Sequence, residues 1–142
     1  MRLVFDTAIM VAAIRSDAGA SRHLLLAALN RRIALLASVP LMIEYQAVLT
    51  RREHLEASGL SVADVETLLD AVAAVAEPVR LAFLWRPAVR DPDDDMVLEA
   101  AANGGADAIV TFNVRDFGNV AARFGVRVLL PGQAWRQLEA GT

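Results

Sequence analysis

The stretch "RDPDDDMVLEAAANGGADAIVTFNVRDF", residues 90–117, carries the clearest alternation of element types in the chain. Asp91, Asp93, Asp94 and Asp95 precede an alanine-rich apolar run that stops at Asn103, Gly104 and Gly105. Pro92 near the start of the run and the glycines after it predict a helix over residues 92–103. "DAIVT", residues 107–111, then predicts a buried strand. A helix that ends on glycine and leads at once into an apolar strand is half of a βαβ unit, the unit that joins parallel strands.

The same alternation extends outward. "RLVF" (2–5), "IALLA" (33–37), "VRLAFLW" (79–85) and "VRVLL" (126–130) read as further strands. Helices are expected over 7–15, 19–32, 38–55 and 61–77, the last two capped by Ser38 and Ser61, and a final one begins near Pro131. This order predicts an α/β chain in which helices cover both faces of a central parallel sheet of four to five strands. No linker or repeat interrupts it, so a single domain over residues 1–142 is expected. Sites in such sheets form beyond the carboxyl ends of strands. Asp6 follows the first strand, and Thr111 and Asn113 follow the fourth.

Composition narrows the function. The chain is 56% hydrophobic, yet no apolar run reaches the roughly 18 residues of a membrane span. Its start has no cleavable apolar stretch of the signal type. Cysteine is absent, which excludes disulfides, thiolate metal sites and cysteine nucleophiles. A cytoplasmic protein without membrane association is the expectation. The net charge of −3 excludes an indiscriminate polycation. All 14 basic residues are arginine, several in near-pairs: Arg31 with Arg32, Arg51 with Arg52, Arg86 with Arg90. Guanidinium forks suit phosphate contacts, though such pairs also serve as solvated surface. The apolar fraction, including helices 19–32 and 61–77, leads us to expect self-association.

The acids admit two readings each. Asp6 either caps the next helix or faces a ligand. Glu44 lies beside a helical stripe of Leu41, Tyr45 and Val48, where a carboxylate needs an arginine or a cation. Asp91 reads as an N-cap before Pro92. The helix dipole accommodates first-turn acids at a few tenths to about 1 kcal/mol each, so the whole cluster could be a solvated helix start. The faces differ, however. Asp94 leads to Val97, Leu98 and Ala101, a core stripe, whereas Asp95 leads through Leu98 to Glu99 and Ala102, nearer a rim. Asp94 is therefore taken as the functional carboxylate, Asp91 as cap and supporting group, and Asp95 as solvated. Carboxylates are hard donors that suit Mg²⁺ or Mn²⁺. His23 and His54 share no ligand spacing and read as ordinary surface or helix residues; Trp85 and Trp135 read as packing.

"LVFDT", "IEYQAVL", "RDPDDDMVLEAA" and "GADAIVTFNVRDF" occur in that order over the whole chain. Together they resemble a PIN domain, specifically the VapC-type toxin nucleases of toxin–antitoxin systems. The resemblance implies a three-layer α/β/α fold and an endoribonuclease that uses Mg²⁺ or Mn²⁺ to hydrolyse RNA phosphodiester bonds. It also implies a homodimer blocked by a cognate antitoxin protein. Carried over by motif, the catalytic set is Asp6, Glu44, Asp94 and Asn113, with Thr7, Asp91, Thr111 and Asp116 in support and the metal on Asp6 and Asp94. Arg115 or Arg90 is the expected holder of flanking phosphates. The chain departs from the family pattern at Ala8, where a polar residue is usual, and at Asn113, where Asp is common; Asp116 could supply the missing charge. A catalytically weak or inactive RNA- or protein-binding module is the alternative. A receiver or haloacid-dehalogenase-like phosphotransfer domain also places an Asp after its first strand, but those families need a lysine and this chain has none.

Overall fold

The computed structural model describes residues 1–82 and 92–141, with side chains in the second segment from Asp94 onward. Its centre is a sheet of five parallel strands: β1 (Arg2–Phe5), β2 (Ala34–Ala37), β3 (Glu77–Pro78), β4 (Ala108–Val110) and β5 (Arg127–Leu129). Their order across the sheet is β3-β2-β1-β4-β5. Eight helices among the described residues complete a three-layer α/β/α arrangement: α1 (Thr7–Arg15), α2 (Ala20–Leu29), α3 (Val39–Leu49), α4 (Arg52–Ser58), α5 (Val62–Val75), α6 (Pro92–Gly104), α7 (Val114–Ala122) and α8 (Pro131–Ala140).

The central strands are apolar on both faces because helices cover both. Leu3, Val4 and Phe5 are fully buried, as are Ala108, Ile109 and Val110. Such unbroken apolar runs are what a doubly covered parallel strand requires. β1 pairs with β4 through Leu3–Ala108, Val4–Ile109 and Phe5–Val110, which sets Asp6 opposite Thr111 just past the strand ends. The amphipathic helices bury one face each: Leu41, Tyr45, Val48 and Leu49 on α3, and Val65, Leu69 and Val72 on α5. Ser38 caps α3 by accepting from the Leu41 N–H at 3.3 Å, and Ser61 forms a capping box with Asp64 on α5.

Three expectations differ from what is found. The helix expected over 38–55 is two helices, broken at Thr50 and Arg51, where the Thr50 hydroxyl donates to the Gln46 carbonyl at 2.7 Å. A hydroxyl bonded back in this way competes with helix continuation. The strand expected over 79–85 is instead Glu77–Pro78; residues 83–85 lie outside the described residues. Pairing with β2 fixes it there, through Leu36–Glu77 and Ala37–Pro78, and Arg2 grips the Glu77 carboxylate with two bonds of 2.7 and 3.1 Å. Helix α7, over a stretch assigned no element from sequence, packs on β5 and buries Phe117 and Ala121.

α6 crosses close to the sheet at its last residue. A Cβ built on Gly104 would stand 2.8 Å from Val79 Cγ2 and 3.1 Å from Leu36 Cδ1, both buried side chains. Gly104→Ala should therefore destabilise the protein by about 1–3 kcal/mol, an overpacking cost. Urea unfolding checks this, and an unchanged midpoint would show that the contact yields freely.

Candidate active site

The site is built at the carboxyl edge of the two central strands. The Asp6 N–H donates to the Val110 carbonyl at 3.0 Å, extending the ladder one residue past β1. Asp6 occupies the N-cap position of α1, yet its side chain makes no cap hydrogen bond. Its carboxylate instead accepts from the Thr111 hydroxyl, Oγ1 to Oδ2, at 2.7 Å. Thr111 Oγ1 in turn accepts the Asn113 N–H at 2.9 Å, which commits the single hydroxyl proton to Asp6. Thr111 is fully buried and Asp6 is 6% exposed. The capping alternative for Asp6 therefore does not hold, and the carboxylate is aimed at the loop after β4.

Behind it stands Tyr45 on α3, fully buried, whose hydroxyl donates to the Phe5 carbonyl at 2.5 Å. Burial pushes this phenol far above its ordinary pKa, and the Asp6 charge pushes the same way. Immediately before Tyr45 on α3, Glu44 lies off the buried stripe of Leu41, Tyr45 and Val48 and is half-exposed. It lines a cavity of about 320 Å³ together with Asp6, Thr7, Asp94 and Asn113. The four residues assigned catalytic roles from the sequence, and Thr7, thus share one cavity. Ala8 forms part of its wall, so a methyl stands where a polar side chain would otherwise face the acids. Phe112, between Thr111 and Asn113, is half-exposed at the same edge.

Helix α6 corrects the reading of the acidic cluster. Asp94 is 6% exposed and lines the cavity, but Asp95, expected in solvent, is 1% exposed. The expectation assumed that α6 has a rim. It has none along this side: Leu98, Glu99, Ala100 and Ala101 are all fully buried, and the helix touches β1, β2, β4, α3 and α7. Asp95 makes polar contacts within the protein. Asp91 and Arg90 lie outside the described residues, as does the Asp93 side chain. Asp116 sits in the first turn of α7 and Arg115 is exposed beside it; neither lines the cavity.

Two lining residues escaped the sequence reading. His54, taken for an ordinary surface or helix residue, lines the cavity from α4, and Arg51 lines it from the break before α4. The Arg51–Arg52 pair was the only signal pointing there.

Hard carboxylate oxygens from separate elements fit a divalent cation of the Mg²⁺ class, which keeps several waters and takes one or two carboxylates. Among the described residues, no group of three or more His, Asp or Glu side chains comes together to hold an ion. The family model for the PIN domain matches residues 2–115. The chain belongs to the PIN domain family. The matched segment contains every described residue that lines the cavity, and it ends before most of α7, β5 and α8. PIN domains are generally nucleases, and nucleic acid is the partner the family suggests. No curated protein matches the chain. Among the described residues, no helix is long and apolar enough to cross a membrane.

Tyr45 is the chain's single tyrosine, so alkaline absorbance titration reports on it alone. Its folded pKa is raised above the unfolded value of about 10. The stability linked to its protonated form is thus present below that pH and is lost as pH rises above it. Phenolate absorbance should appear only with cooperative unfolding. A smooth titration in the folded protein, unaccompanied by loss of far-UV signal, would contradict this placement of Tyr45.

Proposed function

We propose that this PIN domain chain is a metal-dependent endoribonuclease that hydrolyses RNA phosphodiester bonds, acting as the toxin of a toxin–antitoxin pair. The observation that carries the nuclease reading is the meeting of Asp6, Glu44 and Asp94, from three separate elements, in one cavity at the carboxyl edge of the sheet. Asp6 and Asp94 would hold the cation in this reading. Both are nearly buried, so their attraction for it is weakly screened. When bound, Mg²⁺ or Mn²⁺ lowers the pKa of a water molecule and polarises a phosphoryl oxygen. Thr111 fixes the orientation of Asp6. Glu44, the most accessible of the three, accepts the proton of the water that attacks phosphorus while the 3′ oxygen leaves. Asn113 supplies a neutral oxygen at the mouth, and Phe112 offers a face on which an unpaired base can stack.

The toxin role rests on the sequence resemblance and brings two protein partners, an antitoxin and a second copy of the chain. Exposed Val39 and Ile43 on α3 border an apolar cavity between α3 and α5 that also includes Met42, Leu69 and Ala73. This surface supports self-association, and sedimentation showing monomer alone at tens of micromolar protein would remove that support.

A second reading, a PIN domain that binds RNA without cutting it, is favoured by Ala8 in the cavity wall and by the lack of three converging ligands among the described residues. Incubating a mixed RNA pool with purified protein plus Mg²⁺, Mn²⁺ or EDTA separates the two. Cleavage that requires metal supports the nuclease; intact RNA in every arm, with no Mn²⁺ shift of the melting temperature, supports the binding module.

Variants sharpen the test. Asp6→Asn, Glu44→Gln and Asp94→Asn should each lose most metal-dependent cleavage, and Asp94→Asn should also lose the Mn²⁺ shift of the melting temperature. Asp95→Asn should keep the Mn²⁺ response, since Asp95 does not line the cavity. It perturbs a buried, bonded carboxylate, so it should cost about 1–3 kcal/mol of stability while the Mn²⁺ melting shift persists. Loss of the shift in Asp95→Asn with its retention in Asp94→Asn would move the metal site by one residue.

A further inference from the structure

We infer that the break between α3 and α4 forms the phosphate-holding side of this cavity, with Arg51 and His54 gripping the backbone phosphate next to the one cleaved. The inference rests on the nuclease reading of the same cavity and assigns the substrate contacts that reading leaves open.

The cavity needs a cation of its own. Asp6, Glu44 and Asp94 face it, and Arg51 is the one arginine among its described lining residues. An RNA strand brings further negative charge to a place already crowded with carboxylates. A metal on Asp6 and Asp94 offsets the phosphate under attack, but not its neighbour along the strand. Arg51 is exposed and has no ion-pair partner among the described residues. Arg2, Arg22 and Arg52, by contrast, each grip a carboxylate of the protein. An arginine that lines a three-acid cavity yet pairs with none of the acids keeps its fork for a ligand, and the planar fork matches phosphate.

His54 lines the same cavity. Arg15, the last residue of α1, brings Nη1 to 3.4 Å from His54 Nδ1. A guanidinium only donates, so Nδ1 accepts and the ring's hydrogen resides on Nε2. Glu53 Oε1 is 3.7 Å from Nε2, beyond hydrogen-bond length. His54, its side chain 12% exposed, lines the same wall as Arg51 and carries that N–H. Arg115, expected from sequence to hold flanking phosphates, is on α7 and outside the cavity wall.

The test measures binding apart from cleavage. A short fluorescein-labelled single-stranded RNA pool is titrated in EDTA, by anisotropy, across a series of salt concentrations. Arg51→Ala should weaken binding roughly tenfold and lower the slope of log K against log salt by about 0.7, the loss of one phosphate contact on a single strand. Arg51→Lys should keep the slope and recover part of the affinity, because charge survives without the fork. His54→Gln should bind nearly as the parent, and His54→Ala more weakly, since Gln retains a donor. Asp94→Asn should not weaken binding in EDTA. Parental affinity and slope in Arg51→Ala overturn the inference, as does a parent protein that binds no RNA in EDTA. A parent that binds through Arg51 but cuts nothing with Mg²⁺ or Mn²⁺ upholds the phosphate contact and sinks the nuclease reading.

Discussion

The hydrogen bond from Thr111 to Asp6 depends on the pairing of β1 with β4, and the site depends on that bond. In an all-parallel sheet every strand opens its carboxyl end on the same edge. With the order β3-β2-β1-β4-β5, the chain leaves β1 towards β2 on one side and returns at β4 on the other. The connections therefore diverge between β1 and β4 and leave a crevice there. Register places Asp6 and Thr111 on its two lips, one residue beyond Phe5 and Val110. A carboxylate so nearly buried requires bonded partners. Thr111 provides one, and its own lone pair is satisfied by the Asn113 N–H. The same short turn thus orients Asp6 and delivers Asn113 to the cavity mouth.

α6 adds a different constraint. Asp94, Asp95 and Glu99 are buried on a helix otherwise made largely of small and aliphatic residues. The dipole at its amino end favours the first two. Glu99, further along, gains less from it. Burial of this much carboxylate costs stability that the surrounding apolar core must offset, and Gly104 at the far end lets the helix settle closely onto Leu36 and Val79. Close approach at one end and acids at the other are two parts of one placement. A helix held further from the sheet would carry Asp94 away from Asp6.

The fold was legible because its signals are local. Apolar runs bounded by caps and glycines marked β1, β2, β4 and β5 and most helices, and strand ends alone singled out Asp6 and Asn113. Helical periodicity singled out Asp94 through the stripe of Val97, Leu98 and Ala101, which is buried. Periodicity failed for Asp95 because it ranks faces against one another and cannot say that a helix is covered nearly all round. β3 was misplaced because Arg2 and β2 choose its position from more than thirty residues away in sequence. α7 is a different kind of miss. Val114, Phe117 and Ala121 have helical spacing that was available to the reading; Gly118 within the run obscured it.

Arg51 and His54 were hidden for a geometric reason. Along one continuous helix, Glu44, Val48 and Arg51 would share a face, at offsets of four and seven residues. His54, ten residues after Glu44, would turn about 80° away from Glu44 and about 120° from Val48. The cavity nevertheless includes Glu44, Val48, Arg51 and His54 together. The interruption at Thr50 and Arg51 is what returns His54 to that wall. Arg51 leaves the helical region, with φ −63° and ψ 140°, and the chain restarts as α4, where Arg15 of α1 meets the His54 ring. No glycine or proline marks this break in the sequence; Thr50 bonding back to Gln46 and the contact of α4 with α1 produce it. The acids of the site are set by strand ends and helix starts, which sequence displays. Its basic wall is set by how two helices meet, which only the folded chain displays.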